Sequence, residues 1–283
     1  SAGWEACVAD DYVDAGTDIR LTPAADSVAD VTFSFMVHDG TAYSSAAYVL
    51  TTTHAAVNDE PTLAADTTTP TFTEDGDNVV LYDNANAADT DADETQTFEE
   101  IVVTITNVAD TTEYLVIDGS DCDITSAATC VANTATNAGA AVVTMASTTA
   151  TVTWTADSGG ITEAQMETLI DAIAYKNTDQ SPTTGNTRVI TITTLQDEGG
   201  VVGSGDDSVT VSIASTVTVA AAADLPTSAA ATVANAEDTT KTYAAGNFAF
   251  TDVDGDSIAR IKVTILESTG DLDCYNKNGA SAG

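Results

Sequence analysis

The chain repeats itself, and its copies begin out of phase. "DTDADETQTFEEIVVTI", from Asp89 to Ile105, is matched much later by "FTDVDGDSIARIKVTI", from Phe250 to Ile265. Each is an aspartate-rich loop followed by an alternating apolar strand. A second match joins Val31–Thr62 ("VTFSFMVHDG…") to Arg188–Thr227 ("RVITITTLQDEGG…"). Both members give a strand, an acidic glycine-containing turn (His38-Asp39-Gly40; Gln196-Asp197-Glu198-Gly199), a second strand and a junction. The junctions read "AAVNDEPT" and "AAAADLPT". An acidic signal follows each, "FTEDGDNVVL" from Phe72 and "ANAEDTTKTY" from Ala234. Self-similarity in a fixed order is the mark of a repeat architecture. It divides the 283 residues into the closing half of one repeat (1–59), a complete repeat (60–224) and the opening half of another (225–283). A chain divided in this way is expected to be a processed form or a fragment, and no signal peptide opens it.

Within the complete repeat the local pattern is β. "IVVTITN", "TEYLVID", "AAVVTMA", "TATVTWT", "TRVITITTL", "DSVTVSIA" and "STVTVAA" are short, rich in β-branched residues and often alternating, with turn residues between them. One segment departs from this: "ITEAQMETLIDAIAYKN" places Met166, Leu169, Ile170 and Ile173 at helical spacing, and Thr162 with Gln165 forms a capping-box pattern. The fold class that follows is all-β: tandem Greek-key β-sandwiches with one short helix packed over an end.

Charge narrows the partners. Seven Lys and Arg against 44 Asp and Glu leave a formal charge of −37. Nucleic acid is excluded as a partner, because its phosphates need cationic contacts to release counterions; anionic membrane surfaces are disfavoured on the same ground. No apolar run is long enough to span a bilayer, so no membrane insertion is expected. A fold this acidic needs cations or salt to offset its self-repulsion. Two readings stand side by side, a solvated acidic surface and divalent metal binding. None of the four cysteines lies in a metal-type C-x-x-C. Cys122 and Cys130 bracket "DITSAAT" and are expected to form a local disulfide in an oxidising compartment; buried free thiols are the alternative.

"AVNDEPTL", "FTEDGDNVVL", "VTITNVADTTEYL", "IAYKNTDQSPTTGNTRVITIT" and "FAFTDVDGDSIARIKVTI", in this order, resemble the cadherin-like tandem repeats of very large bacterial surface proteins and adhesins. The resemblance covers nearly the whole chain from about Asp11 onward. It implies an extracellular or cell-surface location and calcium-stiffened rods of immunoglobulin-like sandwiches serving as stalks or adhesins. It also implies that the junction, a glutamate near the domain base and an Asp-x-Asp loop converge on Ca2+ at each boundary. Matching motifs give Asn58, Asp59, Glu60, Glu74, Asp89 and Asp91 at the first boundary, and Asp224, Glu237, Asp252 and Asp254 at the second. Asp93 and Asp256 continue the two alternating loops. Leu225 and Ala223 stand where the first junction has Glu60 and Asn58, which predicts weaker metal binding at the second.

Calcium takes six to eight oxygens, which clustered Asp, Asn and carbonyl groups supply. Asp and Gly also cluster in ordinary β-turns, and that reading is strongest for Asp39-Gly40, Asp75-Gly76 and Asp118-Gly119. No catalytic motif accompanies His38 and His54, and no enzyme activity is expected. Trp4 and Trp154 offer rings for stacking on sugar, so a carbohydrate-binding module of an adhesin is the alternative function; as core residues they need no such role, nor do Tyr175 and Phe248. Finally, residues 225–283 followed by 1–59 read as one smaller sandwich. The expected partner is therefore the protein itself, joined head to tail into a filament, with Cys7 and Cys274 flanking the joint as a further disulfide; cell-surface glycans or other cells are the remaining expected partners.

Overall fold

A computed structural model describes residues 4–24, 27–91, 96–131, 139–157, 159–199, 206–264 and 272–274. The strands are β1 (Val31–Phe35), β2 (Tyr48–Thr52), β3 (Thr62–Thr67), β4 (Thr71–Thr73), β5 (Val79–Val80) and β6 (Tyr82–Ala88). Next come β7 (Phe98–Thr106), β8 (Glu113–Ile117), β9 (Ser120–Asp123), β10 (Ala128–Val131), β11 (Gly139–Ala146) and β12 (Thr149–Ala156). Helix α1 (Glu163–Asp171) precedes β13 (Ala174–Asn177), β14 (Arg188–Asp197), β15 (Ser208–Ala220), β16 (Thr227–Ala229) and β17 (Ala249–Thr251). The described chain is thus mostly strand with one α-helix, as the sequence pattern predicts.

One seven-stranded sheet runs in the order β10-β11-β12-β7-β14-β15-β4, and a four-stranded sheet in the order β5-β13-β8-β9. Their pairings are antiparallel except that β4 lies parallel to β15. Both sheets feed one apolar core, drawn entirely from Phe72 to Val219. Alternation explains which side chains enter it: Ile101, Val103 and Ile105 of β7, and Val152 and Trp154 of β12, are fully buried, while Phe98 is buried out of phase at a register shift opposite Asp197. On β14 the buried set is Ile190, Ile192 and Leu195, a change of parity at a register shift between Ile192 and Thr194. An extra residue there turns Leu195 inward. Phe72 of β4 and Tyr175 of β13 meet edge to face across the two sheets, with centroids 5.6 Å apart.

Polar groups fasten the sheets as well. Arg188 of β14 is fully buried; its Nη2 donates to Glu113 Oε1 at 2.8 Å and to Asp110 Oδ2 at 3.0 Å, and its Nε donates to Glu113 Oε2 at 3.0 Å. The Tyr175 hydroxyl donates to the same Glu113 carboxylate at 2.8 Å. Cys122 of β9 and Cys130 of β10 form a disulfide, with Cα atoms 5.4 Å apart, joining an edge strand of each sheet. Helix α1 packs on β6 and buries Met166, Leu169 and Ile170; the Thr162 side chain and Gln165 form the expected capping box.

Two sequence expectations are adjusted, and that of an Asp118-Gly119 turn is met. "DSVTVSIA" and "STVTVAA" are one strand, β15, because no Gly or Pro interrupts the ladder with β14 and Ser215 turns inward to donate its hydroxyl to Leu81 O. Asp118 and Gly119 form the two-residue turn of the β8–β9 hairpin, both with positive φ (49° and 74°), which favours the Asp-Gly pair. Phe248, expected in a core, is 38% exposed; it lies beside the two-stranded β16–β17 sheet, with the Tyr243 ring centroid 6.4 Å away. Trp154 is fully buried, whereas Trp4 is exposed with the Arg20 guanidinium 4.6 Å over its ring. Among the described residues no helix is long and apolar enough to cross a membrane.

Candidate metal centres at the two ends of one strand

β15 runs from Ser208 to Ala220, which at about 3.4 Å per residue separates its ends by about 40 Å. Acidic groups gather at both ends.

At the Ala220 end the parallel pairing of Thr73 with Ala220 carries the next residue, Glu74, beside the chain leaving β15. The Glu74 backbone N–H donates to Ala220 O at 2.9 Å, and Glu74 Oε2 accepts the Ala222 N–H at 2.8 Å. The Asp224 N–H donates to Asp254 Oδ2 at 2.7 Å. Glu74, Asp224 and Asp254 each present a carboxylate oxygen within 4.8 Å of the others. Glu74 is only 3% exposed, and its Oε1, like Asp224 Oδ2, is buried with no hydrogen-bond partner. Burial, then the charges of Asp254, Asp75 and Asp252, raise the Asp224 carboxyl above its ordinary value. The described ion pairs involve only Lys176 and Arg188, so no cationic side chain is paired with this cluster. Three carboxylates gathered in this way offer the oxygen ligands that a hard divalent cation such as calcium takes.

At the other end amides bind the carboxylates together. Asn58 Nδ2 donates to Asp197 Oδ1 at 3.1 Å and to Asp206 O at 2.8 Å. Gln96 Nε2 donates to Asp91 Oδ2 at 2.5 Å and to Asn58 Oδ1. The Asp59 N–H reaches Asp91 Oδ1 at 3.3 Å, and Asp89 accepts the Asp91 and Gln96 N–H groups at 2.9 and 2.8 Å. Asp197 is 1% exposed and its Oδ2 has no partner, nor has the buried Gln96 Oε1. Burial raises the Asp197 carboxyl to about 6, helped by Asp91 and Asp207 and opposed by bonds from Asn58 and Gly199. Gly199 is required here by close approach: a Cβ would lie 1.9 Å from Asn58 Oδ1.

Hydrogen bonds thus link Asn58, Asp89 and Asp91 through Gln96, with Asp59 joined by its backbone N–H, while Glu60 contributes its backbone carbonyl, which accepts the Thr90 hydroxyl at 2.8 Å. Glu74, assigned from sequence to this first group, belongs instead with Asp224 and Asp254, because the parallel β4–β15 pair places it at the far end. That placement supplies the second junction with a carboxylate despite Ala223 and Leu225. Asp252 lies beside the second cluster, where its Oδ1 accepts the Asp256 N–H at 3.0 Å; Glu237 is exposed and outside it. Asp93 lies outside the described residues. Gln96 and Asp197 are additions to the first group. Asp197 had a signal, since its turn matches that of Asp39; Gln96 had none. Asp39 itself serves its turn, its Oδ1 accepting the Thr41 and Ala42 N–H groups at 2.8 Å. Cys7 and Cys274 are free and exposed. Compared with known proteins, the chain matches no family model, no curated protein and no solved structure.

Proposed function

We propose that this chain is a structural repeat module of an extracellular fibre or giant surface adhesin. In this reading cadherin-like, immunoglobulin-like Greek-key sandwiches stand in tandem, divided at 1–59, 60–224 and 225–283, and join head to tail with calcium stiffening the joints. The observation that supports it best is the Glu74–Asp224–Asp254 cluster. It takes one carboxylate from the end of β4, one from the segment leaving β15 and one from the Asp-x-Asp loop of the segment beyond. A cation there would tie the Asp-x-Asp loop to the β4–β15 end of the preceding unit, and the unpaired oxygens of Glu74 and Asp224 would gain a partner. The carbohydrate-binding alternative is less well supported, since Trp154 is buried and Arg20 covers one face of Trp4.

Calorimetric titration with calcium, at matched ionic strength, tests the reading. Saturable binding is expected, and Glu74→Gln should weaken it at least tenfold, equivalent to about 1.4 kcal/mol. Binding that is absent, or untouched by Glu74→Gln and Asp254→Asn together, would remove calcium from this joint.

A further inference from the structure

Outside the core, the described chain exposes two apolar surfaces that the intact unit would cover. Hairpin β1–β2 pairs Phe33 with Leu50 and Phe35 with Tyr48, so these four side chains share one face. They are 38%, 48%, 37% and 53% exposed, respectively, although their rings touch one another. Such a face is untenable on an isolated hairpin in water. The second surface is Ile258–Thr264, where Ile261 and Val263 are 47% and 45% exposed and no strand is formed.

The intact unit shows how the two belong together. The internal match sets β1 against β14, with Val31, Phe33 and Phe35 at the positions of Arg188, Ile190 and Ile192, all three fully buried. It sets "ARIKVT" (259–264) against "EEIVVT" (99–104) of β7, so that Ile261 and Val263 stand for the fully buried Ile101 and Val103. In the unit β14 and β7 are antiparallel neighbours, with Thr191 opposite Thr104 and Ile192 opposite Val103. The two exposed surfaces thus match strands that lie side by side in the intact unit, with their inward-facing positions on one shared face.

We infer that a second copy of this chain extends the β1–β2 sheet at its β1 edge. Its Ile258–Thr264 segment adds as a strand beside β1, in the register that sets Ser34 against Thr264 and Phe35 against Val263. Main-chain bonds at a free edge supply the affinity and the apolar pockets the register. Within one chain the two segments leave from opposite ends of β15, residue 58 being held at the Ser208 end and residue 224 at the Ala220 end, about 40 Å away. Charge favours the same contact. Copies carrying −37 repel each other over most of their surface, but the added strand bears Arg260 and Lys262, two of the seven cationic side chains, and no acid. Asp30 and Asp39 flank β1 to receive it. Because the pairing is heterologous, it propagates into a fibre rather than closing.

This inference rests on the head-to-tail reading but not on calcium, and the test separates the two. Ser34→Cys is made in one preparation and Thr264→Cys in another, each with Cys7 and Cys274 replaced by serine. The two are mixed and oxidised, in calcium and in chelator, while thermal melts of the mixture are recorded. A disulfide-linked heterodimer is expected, forming several-fold faster than with Lys262→Cys, and lost on adding Phe33→Asp to the Ser34→Cys chain. Cross-linking with no calcium shift of the melt leaves the joint standing and removes calcium. A calcium shift without cross-linking overturns the joint and leaves calcium. Equal rates for Thr264→Cys and Lys262→Cys, or an intramolecular link in the Ser34→Cys/Thr264→Cys double variant at high dilution, would also overturn it.

Discussion

Asp197 is the side chain whose surroundings conflict most with its charge. It is buried at the end of β14 with one oxygen unpaired, and Asp91 and Asp207 add their fields. Burial therefore raises its carboxyl from 3.8 to about 6. A carboxyl raised on folding favours the native state when protonated, so its contribution is greatest below about 4 and is lost as the pH rises through about 6. In chelator at pH near 7, Asp197→Asn should consequently melt above the parent, and the difference should close as the pH falls towards 4. Melting curves across that range check it; a variant that melts below the parent at every pH would show that the carboxylate is stabilising as it stands. Sequence alone placed Asp197 in an acidic turn, matched to Asp39, without telling the two apart. Asp39 is exposed and bonded to its own turn, whereas Asp197 is enclosed by Asn58, more than a hundred positions away. Burial of that kind is a tertiary fact, and local composition does not encode it.

Elements were legible where their period was regular. The alternation of β7 and β12, the helical spacing of α1 and its Thr162–Gln165 cap all stand in the structure as the residues imply. Legibility failed where continuity depended on a partner: β15 is one strand because β14 runs beside it from Ser208 to Val217 and β4 beside its last three residues, and Ser215 in its middle is satisfied by Leu81 O rather than by a turn. The placement of Glu74 failed for the same reason, since the parallel β4–β15 pair that moves it to the far end leaves no periodic trace. The ion cluster of Arg188, Glu113 and Asp110 was equally invisible, since Arg188 lies 75 positions from Glu113 in the chain. The short-range disulfide was readable because only eight positions separate its ends. It joins β9 to β10, at one edge of each sheet, and holds them together as the chain unfolds. Closing so short a loop should be worth about 2–3 kcal/mol on chain-entropy grounds. Denaturant titrations of the parent and of the Cys122→Ala/Cys130→Ala double variant measure it; an unchanged midpoint would mean that the Arg188 cluster and the shared apolar core fasten the sheets without it.

At the scale of the whole molecule, two effects of cations must be told apart. A formal charge of −37 on 283 residues opposes every compact state, so simple salt should raise the melting temperature as screening sets in. That effect should level off as the Debye length falls from about 10 Å at 0.1 M towards about 3 Å at 1 M, below the spacing of most surface charges. Binding at the Glu74–Asp224–Asp254 cluster has a different signature. Its unpaired oxygens are buried, so monovalent salt screens them poorly, and a ligand bound only by the native state stabilises it by about 2.7 kcal/mol at a hundredfold excess over Kd. Millimolar calcium should therefore raise the melting temperature further in protein already held at about 1 M sodium chloride. Magnesium should do less at equal concentration, since it dehydrates reluctantly and demands near-ideal octahedral order. Glu74→Gln should abolish most of the calcium increment and leave the sodium chloride curve unchanged, because one charge in so large an excess scarcely alters the screening. If concentrated sodium chloride alone reproduced everything that calcium does, the acidic residues would act as a solvated surface, and the joint would have to draw its stiffness from strand pairing alone.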